Sequence, residues 1–138
     1  MSSDFTAITT RFGVLEARPE GTLRLTSPLA GFEGLTLFTL LRLPDFAPLI
    51  WMQSLEEAGL AFPLLEPDAY FPDYSQTICS HLSREATILC LVSRQAGRLG
   101  LNLLAPLLID AMNGTAEQVI VPDPGLDVFH ACENQIPC

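Results

Sequence analysis

The sequence predicts an all-β protein, a small antiparallel open β-barrel that forms a single domain over residues 1–138. Its apolar residues occur in alternation or in short runs rather than with a helical period. These runs recur roughly every ten to fifteen residues, separated by Gly, Pro, Asp and Asn, a spacing typical of sandwiches and barrels. Eleven prolines interrupt most windows long enough for a helix, so at most short helical turns are expected.

The first half of the chain contains four predicted strands. Thr22–Thr26 alternates apolar and polar residues, which predicts a half-buried strand. Thr36–Leu43 is a largely apolar run that Pro44 ends. Leu49–Gln53 and Leu60–Leu65 are joined by a short acidic loop that contains a glycine, which predicts a hairpin.

The second half contains three further predicted strands. They are Ala86–Ser93, Leu101–Ile109 and Glu117–Val121. Pro106 lies within the second of them and has no N–H to donate to a ladder. We therefore expect an edge strand or a bulge at that position.

Helical and terminal segments are short. Ser75–Arg84 is compatible with a short helix, for which Ser75 is the predicted N-cap. The residues after Val121 read as a turn, and about residues 127–138 are expected to form a loosely held tail.

The charge of the chain limits its partners. It has 16 acidic residues against seven basic ones, all of them arginine, and a net charge of −9. Nucleic-acid binding requires a basic surface, so direct binding to nucleic acid is excluded. The same charge favours encounter with a basic protein.

The sequence also indicates a compartment. No apolar run is long enough to span a bilayer, so no membrane association is expected. The N-terminal residues have neither the positive charge nor the apolar stretch of a signal peptide. We therefore expect a cytoplasmic protein whose four cysteines are free thiols.

Signatures of catalysis are absent. The sequence contains no G-x-S-x-G nucleophile motif, no phosphate-binding loop and no lysine. A hydrolytic Cys–His pair is formally available, although no motif supports it. Zinc is the other chemical alternative, since each histidine has a cysteine two residues away and side chains at i and i+2 share one side of a strand. The four candidate ligands are Cys79, His81, His130 and Cys132.

An acidic and aromatic loop follows the predicted hairpin. Aromatic rings surrounded by charges are typical of protein-recognition surfaces. Ordinary solvated loop charges are the alternative. The loop contains Glu66, Asp68, Tyr70, Phe71, Asp73 and Tyr74.

Two further positions are candidates for binding. Asn102 is a polar residue in an apolar run, where its side chain either bonds the backbone near Pro106 or contacts a partner. The loops at Gly31–Glu33 and Glu56–Glu57 are the alternative acidic surface if the aromatic loop is not the contact.

The chain resembles the FliW family of bacterial flagellar assembly factors. Eight segments and one histidine match the family in collinear order from about residue 10 to residue 130. The matching segments are T-R-F-G at 10–13, L-A-G-F-E and F-T-L-L at 29–33 and 38–41, W-M-Q-S-L and L-A-F at 51–55 and 60–62, F-P-D-Y at 71–74, N-L-L-A-P at 102–106, Q-V-I-V at 118–121, and His130.

The resemblance implies an open β-barrel without enzymatic activity. It implies binding to the RNA-binding translational regulator CsrA and to flagellin. Flagellin would sequester the factor, and the freed factor would remove CsrA from flagellin mRNA. No cofactor is implied. The residues that we expect to contact a partner are Glu33, Glu56, Glu57, Glu66, Asp68, Tyr70, Phe71, Asp73, Tyr74 and Asn102.

Overall fold

Eleven strands and one α-helix are found within the residues that the computed structural model describes, which are 6–17, 21–29, 31–82, 85–121, 123 and 125–132. Short 3₁₀ turns lie at Pro44–Phe46 and Pro67–Ala69. In chain order the elements are β1 Thr6–Thr10, β2 Gly13–Ala17, β3 Thr22–Leu25, β4 Leu37–Leu41, β5 Ile50–Ser54, β6 Ala61–Leu65, α1 Tyr74–Leu82, β7 Thr87–Gln95, β8 Arg98–Leu101, β9 Leu107–Asp110, β10 Thr115–Gln118 and β11 His130–Ala131.

Seven strands form a barrel, in the order β7-β6-β5-β4-β3-β10-β9. The predicted all-β barrel is confirmed, but the ring is closed rather than open, because β9 pairs with the start of β7. Closure removes two exposed sheet edges. One ladder also differs from the predicted antiparallel pattern, since β10 runs parallel to β3.

The predicted strand at Leu101–Ile109 is divided in two. β8 ends at Leu101 and β9 begins at Leu107. Between them, the Asn102 side chain bonds the backbone and holds it in a turn. The strand is therefore interrupted over residues 102–106, the region that Pro106 was expected to disturb. The β1–β2 hairpin was not predicted and forms a separate two-stranded sheet.

The apolar core has two layers because side chains alternate across each strand. Leu64, Leu89 and Leu107 point into the barrel, where they contact buried residues from each of the remaining barrel strands. Their neighbours Leu65 and Leu108 point outward, into a second cluster that α1 and β8 cover. Members of this outer cluster include Tyr74, Ile78, Cys90, Val92, Leu101, Leu103 and Cys132.

Helix α1 begins one residue earlier than predicted. It starts at Tyr74, so Ser75 lies inside the first turn and is not the N-cap. The Ser75 N–H instead donates to Oδ1 of Asp68, 2.8 Å away. A carboxylate near the first turn also interacts favourably with the helix dipole.

The first part of the predicted tail is paired to the barrel. His130 and Ala131 form β11 against β8. The Cys132 N–H donates to the carbonyl of Leu99 at 2.9 Å, and its side chain is buried. Residues 133–138 lie outside the described residues. Among the described helices, none has the length and apolar character needed to cross a membrane.

A candidate acidic interaction surface

One group of predicted contact residues lies at the end of the β5–β6 hairpin. Oε1 of Glu56 accepts hydrogen bonds from the N–H groups of Thr36 and Leu37, at 2.7 and 3.0 Å. These bonds lower the pKa of the Glu56 carboxyl, with Leu37 making the larger contribution. Glu57 is an exposed neighbour in the same loop. Glu56 therefore anchors the loop to β4 and keeps its charge at neutral pH.

An exposed aromatic ring lies in the adjoining loop. Gly31 has a φ of +88°, which glycine adopts without strain, and its N–H donates to Oε2 of Glu33 at 3.0 Å. This bond lowers the pKa of the Glu33 carboxyl. The Phe32 ring is 37% exposed and packs edge-on against Phe62, with centroids 5.1 Å apart.

Phe32 was not singled out as a contact residue, although it lies within the alternative Gly31–Glu33 loop. Its sequence signal is a single large apolar residue in the otherwise polar and glycine-rich run G-F-E-G. In the structure the Phe32 ring packs on Phe62 of β6 and remains partly exposed to solvent. The hairpin-end surface, defined as Phe32, Glu33, Glu56 and Glu57, therefore combines an aromatic ring with three carboxylates.

The second predicted group, in the loop between β6 and α1, is largely engaged in structural contacts. Asp68 accepts the helix N–H described above. Oε1 of Glu66 lies 3.9 Å from Nη1 of Arg42, and both side chains are well exposed, so this pair contributes little to stability. Asp73 is exposed with a φ of 66°, and its carbonyl accepts from Thr77.

The aromatic residues of this loop do not form an exposed cluster. Tyr74 is 1% exposed and belongs to the outer core, so its predicted contact with a partner would require this loop to rearrange. Phe71 is half-buried and packs against Tyr74 and His130, at centroid distances of 5.8 and 5.3 Å. Tyr70 is also half-buried, and burial raises the pKa of its hydroxyl. These rings pack because α1 covers the outer face of the barrel.

Asn102 bonds the backbone, which is one of the two roles that the sequence predicted for its side chain. Its Oδ1 accepts from the N–H groups of Leu104 and Ala105, at 3.2 and 3.0 Å. Its own N–H donates to the carbonyl of Leu91. The side chain therefore satisfies backbone donors where β8 ends, a common role for Asn.

The predicted residues do not converge on one site. The hairpin-end surface lies at the start of β6, and the acidic loop follows the end of the same strand. Five residues of strand separate them by roughly 17 Å. Of the two predicted groups, the hairpin-end surface is the one that combines an exposed aromatic side chain with several carboxylates.

The candidate zinc ligands lie on different elements. Cys79 and His81 are in α1, where residues two apart do not face the same side, so the strand-based reasoning does not apply to them. Within the described residues, no three His, Cys, Asp or Glu side chains are grouped for a metal ion. Cys90 is fully buried, and burial raises the pKa of its thiol to about 12. A thiol with that pKa is a poor nucleophile at neutral pH.

Comparison with known proteins gives a consistent assignment. The family model described as FliW protein matches residues 6–132. The flagellar assembly factor FliW 2 of Desulfotalea psychrophila is 34% identical over 127 residues, covering 86% of this chain and 84% of the relative. The flagellar assembly factor FliW of Syntrophotalea carbinolica is 35% identical over 123 residues, covering 83% and 88%.

A solved structure has the same fold. The crystal structure of a flagellar assembly factor FliW superposes on this chain with a TM-score of 0.76 at 26% identity. The match covers 91% of this chain and 96% of the other. The two proteins therefore share one fold over nearly their whole length.

Proposed function

Because this chain belongs to the FliW family of flagellar assembly factors, we propose that it binds the translational regulator CsrA and thereby relieves repression of flagellin mRNA. Flagellin binds the same factor and sequesters it. The role is one of protein binding without catalysis. Because mRNA is translated in the cytoplasm, the function requires the chain to act there.

The charge of the chain supports a basic RNA-binding partner. A regulator that binds mRNA needs a basic surface to neutralise phosphates. A chain with a net charge of −9 is complementary to that surface, which accelerates encounter and opposes binding to the RNA itself.

The observation that carries the assignment of a surface is the exposed Phe32 ring next to Glu33, in the segment that leads to the two amides bound by Glu56. Interfaces commonly combine a buried aromatic anchor with a charged rim. Here the ring is already fixed by Phe62, and the Glu33 carboxylate by its own loop, so binding orders few side chains. We assign CsrA binding to the hairpin-end surface.

The loop after β6 is less suited to be the main contact. Tyr74 is a core residue and Asp68 caps the helix, so neither is free to bind without a local rearrangement. Glu66 and Asp73 remain exposed and are assigned to long-range electrostatic attraction. Within the described residues, no cluster of His, Cys, Asp and Glu supports the zinc alternative, and the raised pKa of the Cys90 thiol does not support the hydrolytic one.

Titration of this chain with CsrA from the same organism, by calorimetry, tests the proposal. We expect binding that is lost when flagellin is present in excess. The double variant Glu33→Gln/Glu57→Gln should weaken binding, mainly by slowing association at low salt. Its matched control is Glu85→Gln/Asp127→Asn, which removes the same two charges from exposed positions elsewhere.

Two results would contradict the proposal. Absence of measurable CsrA binding would overturn the function. Equal binding by the two double variants would retain the function but remove the hairpin-end surface from it. Metal analysis of the purified chain addresses the zinc alternative, since stoichiometric zinc would favour it.

A further inference from the structure

A second surface lies between strands β6 and β7, away from the hairpin end. It is an apolar groove of about 660 Å³. Aliphatic and aromatic side chains form most of its surface, and charged residues stand among them. The lining includes Arg11, Asp45, Trp51, Pro63, Val92 and Arg94.

The groove exists because the β6–β7 ladder stops early. The Ser54 N–H donates to the carbonyl of Leu60, so the main-chain N–H and C=O of Leu60 face β5. Because the direction of these groups alternates along a strand, those of every second residue after Leu60 also face β5. Pro63 therefore faces β7, and it has no N–H to donate. The ladder ends at the pair of Leu64 and Leu91, beyond which the two strands separate.

Separation leaves one edge of β7 open. The Asn102 N–H donates to the carbonyl of Leu91, so the main chain of Leu91 faces β8. Alternation then directs the main-chain groups of Arg94, and the carbonyl of Val92 opposite Pro63, toward the groove. Within the described residues, β7 beyond Leu91 pairs only with β8. An open strand edge beside an apolar groove is the arrangement that binds extended peptides by strand addition.

The charged residues of the groove favour an acidic ligand. Arg11 and Arg94 line it, together with one acidic residue, Asp45. Neither guanidinium has an ion-pair partner among the described residues, and Arg11 lies over the Trp51 ring, 5.4 Å from its centroid. The groove is thus locally cationic on a chain whose net charge is −9.

The indole of Trp51 is a further recognition element. Its Nε1 is buried and has no hydrogen-bond partner within the described part of the chain. A buried donor without a partner is costly, so a ligand carbonyl that reaches it gains free energy. Phe12 and Phe46 pack on the same ring, with centroids 5.0 and 5.7 Å away. The turn of the β1–β2 hairpin therefore forms one wall of the groove.

We propose that this groove binds an extended, apolar peptide segment of a partner protein that carries a carboxylate. The segment adds to the open edge of β7 and places its apolar side chains on Trp51 and Val92. Its carboxylate pairs with Arg94 and Arg11. This site is separate from the hairpin-end surface and does not depend on CsrA binding.

Selection from a phage library of random ten-residue peptides, with the full chain as bait, tests the proposal. We expect enriched peptides that combine apolar residues with Asp or Glu. Because the chain has a single tryptophan, which lines the groove, binding should change the intrinsic emission of Trp51. The variant Arg94→Gln should bind such a peptide roughly tenfold more weakly, the loss expected for one charge-assisted contact.

Matched variants distinguish this site from general electrostatic attraction. Arg24→Gln removes the same charge from an exposed position on β3 and should leave peptide affinity unchanged. N-methylation of alternate peptide amides should abolish binding if the peptide adds to β7. Equal binding to the Arg94 and Arg24 variants, or no enrichment of acidic apolar peptides, would overturn the proposal. A concentration-dependent dimer that Arg94→Gln abolishes would also overturn it, since the occupant would then be a second copy.

Discussion

The hydroxyl of Tyr74 donates a hydrogen bond to the carbonyl oxygen of Leu103, linking the first turn of α1 to the segment that follows β8. Both residues are almost fully buried. Burial raises the pKa of this hydroxyl far above its usual range, so it remains a donor at all accessible pH values. Tyr74 is thus a structural residue of the outer core.

The first prediction concerns this bond. Replacing Tyr74 by Phe keeps the ring but leaves the Leu103 carbonyl without that donor, which should lower the free energy of unfolding by about 1–3 kcal/mol. Chemical denaturation measures the change. The control is Tyr70→Phe, because the Tyr70 hydroxyl has no hydrogen bond within the described residues. Equal destabilisation by both variants would argue against the assigned role of the bond.

The second prediction concerns Gly100 in β8. A Cβ added there would lie 2.5 Å from the ring of Phe129, which packs directly over the strand. Gly100→Ala should destabilise the fold by about 1–3 kcal/mol, as overpacking commonly does. Thermal unfolding of Gly100→Ala and Gly59→Ala makes the comparison, since a Cβ at Gly59 meets no atom within 4 Å. A neutral Gly100→Ala would show that Phe129 moves aside without cost.

The third prediction concerns Glu56 and pH. Its carboxylate bonds the β4 amides, and its pKa is lowered from the ordinary value of 4.5. A lowered carboxyl pKa means that the stabilisation is present above pH 4.5 and is lost as the pH falls through the lower folded value. Glu56→Ala should therefore reduce the melting temperature at neutral pH, and the difference from the unmodified chain should shrink in acid.

The control for that series is Glu57→Ala, which removes an equal charge from the same loop. Its side chain makes no hydrogen bond within the described residues. A loss of stability that is the same for Glu56→Ala and Glu57→Ala, or one that does not depend on pH, would contradict the role of Glu56 as an anchor for β4.

The fourth prediction concerns thiol reactivity. Cys90 is fully buried and its pKa is raised to about 12 by burial, so almost no thiolate forms at pH 8. Alkylation of the folded chain, read by peptide mass mapping, should modify the half-buried Cys79 well before Cys90. Unfolding should make both react. Fast modification of Cys90 in the folded chain would show that the outer core opens readily.

Local sequence patterns predicted the barrel strands because side-chain alternation is a local property, but they did not predict the β1–β2 hairpin. They also offered the observed role of Asn102, since a short amide in an apolar run near a proline needs backbone partners. They did not predict barrel closure or the parallel β10–β3 pair, because strands distant in the sequence make those ladders.

The candidate site was predicted only in part. The sequence around residue 74 does not distinguish a buried ring from an exposed one, so Tyr74 was assigned to the surface although α1 carries it into the core. The partner of the Ser75 N–H lies seven residues upstream, at Asp68, beyond the reach of a local capping rule. Phe32 is held at the surface by its contact with the Phe62 ring, which lies thirty positions away in the sequence. A local pattern does not predict such a contact.

The proposal that this FliW-family chain removes CsrA from flagellin mRNA is tested most directly by an RNA-release measurement. CsrA is bound to a labelled flagellin leader RNA, and the chain is then titrated in while RNA binding is followed by gel shift. We predict that the chain releases the RNA, that excess flagellin prevents release, and that Glu33→Gln/Glu57→Gln requires higher concentrations than its matched control. RNA that stays bound to CsrA at saturating concentrations of the chain would contradict the account.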